Sequence, residues 1–459
     1  MRLVLAVLIA LSIVPAVARA ELVGAIHEHT GFSDGAFGTS PADAFAAGRG
    51  AGLDFLASTE HGEILLPGRW QKIADQAAAA TDASFAGIRG FEWTSDRSGH
   101  INVLFSAHRT SAYLDGGNLD VDAFWRWFTR PASEGGGADG LAIFNHPGDK
   151  KLDERDPAYN WENFRHVPAA DGRMVGLEVF NGGGEHLRVY DQALDRGWHV
   201  GAVGAEDEHG TSWAAVDKPK TVLLADERTP AAIRAALEGR RMAALRSSAA
   251  PRPTLTVDGA LMGSRLRRDA GAPLAIHASA PGAALELVTS GGAVVATGAG
   301  ALDVTRPAAG AERWYYVRAK HGDRVVSVSS PVWVTVTGAA RTWLAGDLHV
   351  HSCASHDVLC VPDSEESEPW TLGLPVRGRF AEASLRGLDF LAITDHNDTS
   401  SSRDPGFGSS GVLGVPGYEN SVDGHMQVLG VDTVLDNGDK SPAAMRRLID
   451  EVHARGGAV

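Results

Sequence analysis

Cysteine is almost absent from the chain, which has only Cys353 and Cys360 among its 459 residues. Both lie in one short stretch, so in an oxidising compartment they predict a local disulfide that pins this loop. Two free thiols are the alternative. Metal binding by Cys353 is less favoured, because histidines and carboxylates already crowd this part of the chain.

Long apolar runs are missing beyond the first 20 residues. That first stretch has Arg2, an apolar run from Leu3 to Val17 and a small-residue motif that ends at Ala20, as in a secretory signal peptide. The run is short for a bilayer span, which favours cleavage over an uncleaved anchor. Residues 1–20 therefore predict export, and we expect a periplasmic or secreted protein with no stable membrane span after cleavage.

A basic surface is missing as well. The chain has 57 acidic and 42 basic residues and a net charge of −15, which repels polyphosphate. The pairs Lys150-Lys151 and Arg240-Arg241 are too short to form a basic patch. We therefore expect no nucleic-acid partner. The GxSxG motif of serine hydrolases is also not found.

A histidine pair ends the first apolar run after residue 20, in the stretch IHEHTGFSDG of residues 26–35. The run predicts a buried strand. Side chains two apart on a strand share a face, so His27 and His29 point one way and Glu28 the other. Asp34 follows in a loop near the same strand end. Two imidazoles and a carboxylate suit zinc, manganese or iron.

Strands and helices alternate after this motif, which predicts a parallel α/β fold with its chemistry at the strand ends. Ser40-Pro41 begins a helix that stops near Gly50, and residues 53–61 form the next buried strand. Several apolar strands carry a candidate ligand near one end: His61, Glu92, His100, His146, Glu178 or Asn181, Asp207 and His209. One such histidine is usually structural, but this many together indicate a metal site.

The motifs HxH…SDG, TEH, GFE, GHINVL, NHPG and DEH over residues 22–245 resemble the PHP (polymerase and histidinol phosphatase) superfamily of metal-dependent hydrolases. The resemblance implies a distorted (β/α)7 barrel with two or three divalent ions, zinc, manganese or iron, at the strand ends. By motif, the ions would be held by His27, His29, Glu92 and Asp207, by Glu92, His100 and His146, and by Asp34, His61 and His209. Glu60 stands where many members have Asp, and we expect it to support the site without binding metal.

Such a centre would hydrolyse an ester with a metal-bound hydroxide. Glu92 would bridge two ions, and His209 or His61 would supply the proton for the leaving group. The resemblance makes a phosphoesterase with a small, anionic ester substrate the first expectation. The alternatives are a carboxylic or carbamic ester hydrolase of the same superfamily, and a noncatalytic binding protein. The complete ligand set argues against the last alternative.

The chain changes character after residues 21–248, the expected PHP domain. Residues 249–340 have short runs rich in Val, Thr and Gly between turn signals, which predict an immunoglobulin-like β-sandwich. Residues 341–459 predict a second, partial PHP barrel, because GLDFLAITDH at residues 387–396 nearly repeats residues 52–61. Its candidate ligands are His349, His351, Asp357, His396, Glu419 and His425. Counterparts of His146, Asp207 and His209 are missing, so we expect an incomplete copy and favour a fragment of a longer protein.

Overall fold

The structure is a computed structural model that describes residues 20–113, 120–148, 156, 158–337, 344–358, 360, 373–421, 424–435 and 441–459. The predicted alternation of strands and helices is present, but the fold is mixed α/β rather than parallel, because several strands pair antiparallel. Most of the predicted signal peptide and the lysine pair Lys150-Lys151 lie outside the described residues. Within them, no helix combines the length and the apolar character that a membrane span requires.

Residues 20–245 fold into the first set of strands and helices, whose strands belong to a closed barrel. The strands are β1 (Ala20–Glu28), β2 (Phe55–His61), β3 (Ala86–Ser95), β4 (Gly99–Leu104), β5 (Leu141–Asn145), β6 (Met174–Asn181), β7 (Gly184–Glu185), β8 (Gly201–Ala205), β9 (Lys220–Ala225) and β10 (Met242–Leu245). The helices are α1 (Pro41–Gly50), α2 (Arg69–Ala80), α3 (Val121–Thr129), α4 (Tyr159–Phe164), α5 (Pro168–Asp171), α6 (Leu187–Asp195) and α7 (Pro230–Glu238).

The order of these strands brings the candidate ligands to one end of the barrel. β1, β2 and β3 are parallel neighbours, whereas β4 runs antiparallel to both β3 and β5. β5, β6 and β8 are parallel again, and β9 pairs antiparallel with β1. Because β4 is reversed, its first residues lie beside the last residues of β3, and His100 is opposite Thr94. A residue at the start of β4 thus joins residues at the ends of the parallel strands.

Local sequence explains how the first elements form. The Ser40 N–H donates to Asp43 Oδ2 at 2.8 Å, and Pro41 follows, which starts α1 where the sequence predicts it. Inside the barrel, Gly24 of β1 pairs with Phe55 of β2. A Cβ atom on Gly24 would lie 2.5 Å from the Phe55 ring, so only glycine allows this ring to fill the barrel interior.

The predicted β-rich segment follows without a break in the sheet, because β10 pairs antiparallel with β17. Its strands are β11 (Thr254–Val257), β12 (Ala260–Leu261), β13 (Arg265–Asp269), β14 (Pro273–Thr289), β15 (Ala293–Pro307), β16 (Glu312–His321), β17 (Arg324–Ser329) and β18 (Val332–Thr337). The apolar runs that predicted strands at Leu255, Leu285 and Trp314 all lie in strands. The immunoglobulin-like type and the domain boundaries stay predictions.

A second, four-stranded sheet forms near the C-terminal end of the chain. It contains β19 (Gly346–Val350), β20 (Phe390–Ile393), β21 (Leu413–Asn420) and β22 (Met426–Leu429), with helices α8 (Val376–Leu385) and α9 (Pro442–Ala454). Gly346 pairs with Phe390, as Gly24 pairs with Phe55, and again leaves no room for a Cβ atom. The loop after β19 contains the predicted disulfide between Cys353 and Cys360.

Candidate metal centre

The nine ligands predicted within residues 27–209 lie together at the end of the barrel where β1, β2 and β3 terminate. They are His27, His29, Asp34, His61, Glu92, His100, His146, Asp207 and His209. They come from separate strands and loops, and the barrel brings them together.

The first group of donor atoms surrounds the histidine pair of β1. His27 Nε2 lies 3.0 Å from His29 Nε2, and both nitrogens face Asp207 Oδ1, at 3.4 and 3.3 Å. Glu92 is 3.5 Å from each of the two imidazoles. Both histidines are completely buried, and Glu28 points to the other side of the strand, where it is also buried. The alternation that the sequence predicts for residues 27–29 is confirmed.

Glu92 lies at the centre of the cluster. Its Oε1 is 3.0 Å from His100 Nδ1 and 3.2 Å from His146 Nε2, and its Oε2 is 3.0 Å from His61 Nδ1. Asn145 Nδ2 also donates to Glu92 Oε1 at 2.8 Å. A carboxylate with donors on both oxygens has the geometry that the predicted bridging role requires.

Asp34 organises the third group, nearer the solvent. Its Oδ2 lies 3.3 Å from His61 Nε2 and 3.4 Å from His209 Nε2. The His29 and His209 rings are stacked, with centroids 4.2 Å apart. With a side chain 40% exposed, His209 is the most open of the six histidines of the centre.

A second layer of residues orients these side chains. His27 Nδ1–H donates to Glu178 Oε1 at 2.7 Å, and Thr94 Oγ1 lies 2.6 Å from His61 Nδ1. Such contacts select the ring orientation and leave the other nitrogen free to face the centre. Glu178 also accepts the His146 N–H at 2.7 Å, so one carboxylate positions two candidate ligands.

Glu60 has the supporting role that was expected of it. Its carboxylate accepts hydrogen bonds from the backbone N–H and the hydroxyl of Thr30, and from the hydroxyls of Ser33 and Ser58. These bonds hold the loop that carries Asp34. In the second sheet, Asp395 accepts the corresponding bonds from the N–H and hydroxyl of Ser352.

Two candidate ligands have unusual backbone conformations. His146 has a φ of 25° and Asp207 has a φ of 54°, in the left-handed region that residues other than glycine rarely occupy. Such conformations cost about 1–3 kcal/mol each and persist where the surrounding contacts impose them. At His146 the turn brings Asn145 and His146 to the same carboxylate, although neighbouring residues of a regular strand point to opposite faces.

The charges of the cluster shift its pKa values in opposite directions. Burial disfavours a charge on His27, but Asp207, Glu178 and Glu92 outweigh it and raise the pKa of His27 well above its ordinary value. Burial dominates at His29 and lowers the pKa of that histidine to about 4. His61 has its pKa raised to about 10, because hydrogen bonds with Asp34 and Glu92 outweigh burial. Buried Glu92 keeps a low pKa because imidazoles surround it.

The cluster fits a set of divalent cations. His29 Nδ1 and Asp207 Oδ1 are buried, and neither atom has a hydrogen-bond partner among the described residues. Leaving such atoms unpaired costs free energy, and a cation between them would remove that cost. The donors are imidazole nitrogens and carboxylate oxygens, which zinc, manganese and iron accept. The buried histidine and carboxylate groups are consistent with a site for more than one ion.

The candidate ligands predicted within residues 349–425 also lie together, in a more open site. Glu419 Oε2 is 2.9 Å from His349 Nε2 and 3.0 Å from His351 Nε2, and Glu419 also pairs with His425. His396 Nε2 lies 3.2 Å from Asp357 Oδ2. The His349 side chain is 53% exposed, whereas its counterpart His27 is buried.

Sequence reasoning missed several residues around the first centre. The NHPG motif contains Asn145 but does not indicate its contact with the centre, and Thr94 belongs to none of the motifs. Glu178 was one of two candidates at the end of β6, and its contact with His27 spans 151 positions. Its position at the end of a buried strand was the available signal. His199, which belongs to none of the motifs, lies between Asp171 and Glu312, with N···O distances of 2.8 and 3.0 Å.

The chain matches no protein-family model and no curated protein sequence. Among solved structures it is similar to a two-domain protein from Bacteroides vulgatus that contains a predicted PHP-like metal-dependent phosphoesterase, with 18% identity and a TM-score of 0.39, over 68% of this chain and 96% of that one. It is also similar to an amidohydrolase from Chromobacterium violaceum, with 16% identity and a TM-score of 0.27, over 41% and 87% of the two chains. A lesion-specific endonuclease from Pyrococcus furiosus has 12% identity and a TM-score of 0.30, over 48% and 56%.

Proposed function

We propose that this chain is an exported metal-dependent hydrolase that acts on a small ester, with a phosphoester as the first candidate substrate. The observation that carries the proposal is a cluster of six imidazoles and three carboxylates in which the buried His29 Nδ1 and Asp207 Oδ1 atoms make no hydrogen bond within the described residues. A purely structural cluster would pair these atoms with each other or with nearby donors. The motif resemblance supports a phosphoester as the substrate.

Three sets of residues would hold the ions. One set is His27, His29, Glu92 and Asp207, the second is Glu92 with His100 and His146, and the third is Asp34, His61 and His209. Bound divalent ions supply an acidified water and polarise the ester oxygens. The residues themselves fix the donor positions: Glu178 and Thr94 orient two of the rings.

His209 is our candidate for the residue that donates a proton to the leaving group. Its hydrogen bond with Asp34 raises the pKa of His209 above its ordinary value, which favours the protonated form of the ring. It is also more open to solvent than His61. An imidazole that holds an ion cannot donate a proton from the same nitrogen, so this role requires the Asp34 group to stay without its ion.

One observation favours the carboxylic or carbamic ester alternative. Among the described residues, no lysine or arginine pairs with Asp34, Glu92 or Asp207. A phosphate monoester usually meets a cationic side chain in its pocket. Lys150, four residues after His146, lies outside the described residues.

The test combines metal content with three substrates on the same sample. Elemental analysis of the purified chain is followed by hydrolysis of p-nitrophenyl phosphate, bis(p-nitrophenyl) phosphate and p-nitrophenyl acetate. Two or three ions with phosphate-ester turnover would support the phosphoesterase. Ions with turnover of the acetate alone would favour the alternative. A folded chain that takes up neither zinc nor manganese would overturn the proposal.

We also propose that residues 21–248 form a PHP barrel and that residues 341–459 are an incomplete second copy of it. The shared pairing of Gly24 with Phe55 and of Gly346 with Phe390 supports the repeat. The matched imidazole distances, 3.0 Å between His27 and His29 and 3.1 Å between His349 and His351, support it as well.

Sequencing the N-terminus of the protein recovered from the periplasm would test cleavage after Ala20.

A further inference from the structure

A cleft of about 380 Å³ lies between the barrel and the second sheet, away from the metal centre. One wall comes from the end of α3, with Arg126, Thr129 and Arg130, and the other from one face of α8, with Arg377 and Ser384. We call it the α3–α8 cleft. Three guanidinium groups on one cavity are notable in a chain with a net charge of −15.

The helices that form the cleft run past each other in opposite directions. Asp122, in the first turn of α3, pairs with Arg386, which follows the last residue of α8, at 2.9 Å. Arg165 joins the same junction by donating to Asp122 and to the Leu385 carbonyl. The C-terminal end of α3 therefore lies near the N-terminal end of α8, and Arg130 and Arg377 line the same cleft.

The carboxylates around the cleft already form ion pairs with arginines. Asp122 pairs with two arginines, and Glu382 is 3.7 Å from Arg379. Asp120 pairs with Arg126 at 3.3 Å. Arg130 and Arg377 have no carboxylate partner among the described residues. Two like charges without counterions repel each other across the cleft.

The position of Arg377 makes this arrangement unfavourable without a ligand. It is the second residue of α8, where the helix dipole disfavours a positive charge, and the Pro375 N-cap offers no side-chain hydrogen bond. No side chain therefore caps the first N–H groups of this ten-residue helix, and Arg377 beside them has no carboxylate partner within the described residues. Ser384, only 5% exposed, lines the same cleft, and its hydroxyl has no hydrogen bond within the described residues.

We propose that the α3–α8 cleft binds the phosphate group of a small molecule. The oxyanion contacts Arg130, Arg377 and the N-terminal turn of α8, and Arg126 and Ser384 contact the remainder of the ligand. A bound phosphate neutralises the facing arginines and strengthens the docking of the second sheet on the barrel, because it contacts both walls. This site is independent of the hydrolase proposal.

The test is isothermal titration of inorganic phosphate into the metal-loaded full chain and four variants. Arg130→Gln and Arg377→Gln are each expected to weaken binding at this site by about tenfold, since each removes one charge-assisted contact. Arg267→Gln, an exposed arginine of β13, is the matched control and should bind as wild type does. His27→Ala separates this site from phosphate bound at the metal centre, and it should retain binding.

Thermal unfolding of each variant checks that it is folded, which we expect because Arg130 and Arg377 are exposed. Equal phosphate affinity in Arg377→Gln, Arg130→Gln and wild type would overturn the proposal. So would complete loss of binding in His27→Ala, because phosphate would then bind only at the metal centre.

Discussion

The environment of each side chain at the end of β1 depends on the face of the strand from which it projects. His27 and His29 point into the cluster, whereas Glu28 between them is buried on the opposite side. On that side, burial and the neighbouring Glu206 raise the pKa of Glu28 well above its ordinary value. A shift of one residue in this strand would exchange the two environments and destroy the site.

His27→Ala is the most direct test of a single ligand. The variant removes an imidazole that faces Asp207, Glu92 and His29, so we expect less bound metal and hydrolysis lowered by at least about 100-fold. Metal analysis and kcat/KM measure the two effects. His321→Ala, an exposed histidine at the end of β16, is the control and should behave as wild type. Unchanged activity in His27→Ala would refute the site assignment.

Glu178→Gln tests a residue that orients a ligand without contacting the substrate. The amide keeps the size of the side chain but removes the negative charge that His27 Nδ1–H faces at 2.7 Å. We expect metal affinity to fall by about 10- to 100-fold while the fold is retained. Competition with a fluorescent chelator measures the affinity, with the exposed Glu134→Gln as control. Wild-type affinity in Glu178→Gln would show that this carboxylate does not position His27.

Among the structural elements, the antiparallel strand β4 decides how the cluster is assembled. A barrel of parallel strands only would place the first residues of β4 at the opposite end. Because β4 is reversed, His100 reaches Glu92 on the neighbouring β3. The GHINVL motif identified the ligand, but only the pairing of the strands explains why a residue that begins a strand belongs with residues that end strands.

The stability that one contact between the barrel and the β-rich segment contributes should depend on pH. His199, before β8, lies between Asp171 at the end of α5 and Glu312 of β16, and so joins the barrel to the β-rich segment. Burial lowers the pKa of His199, but hydrogen bonds to these carboxylates outweigh it and leave the pKa raised above 6.5. The stabilisation is therefore complete below the ordinary pKa and is lost as the pH rises through the raised value.

His199→Gln should remove this pH dependence and cost about 2 kcal/mol at acidic pH, through the loss of charge-assisted hydrogen bonds. Urea unfolding at about pH 5.5 and pH 9 measures the free energy of unfolding on both sides of the transition. The control is His321→Gln, which leaves the junction intact. If wild type and His199→Gln lose equal stability between the two pH values, the histidine does not hold the junction.

The molecule as a whole should be more stable when the centre is loaded. The cluster gathers side chains from residues 27 to 209, so a bound ion connects most of the barrel. An ion that binds only the folded chain stabilises it by about 2.7 kcal/mol at 100 times its dissociation constant. Calorimetry in zinc or manganese and in chelator should therefore show a higher unfolding temperature with metal. Chelator should have far less effect on His27→Ala, and an equal effect on both chains would mean that the ion binds elsewhere.

The sequence alone determined the features that depend on neighbouring residues and on the periodicity of strands and helices. The two-residue repeat of a strand predicted the faces of residues 27–29, and Ser40-Pro41 predicted the start of α1. The motif resemblance predicted nine side chains that the structure brings together, and the α/β alternation is confirmed. The repeat of GLDFLA predicted strands at residues 55 and 390, and both are present.

Only the tertiary structure decided which distant groups meet. Glu178 lies 151 positions from His27, and no local pattern indicates that their side chains touch. The same is true of Arg165 and Leu385, which are 220 positions apart and form one side of the junction beside the α3–α8 cleft. A strand pattern tells which face a side chain occupies, because that depends on the geometry of neighbouring peptide units. Which side chains meet across the barrel depends on strand order and packing, and local geometry encodes neither.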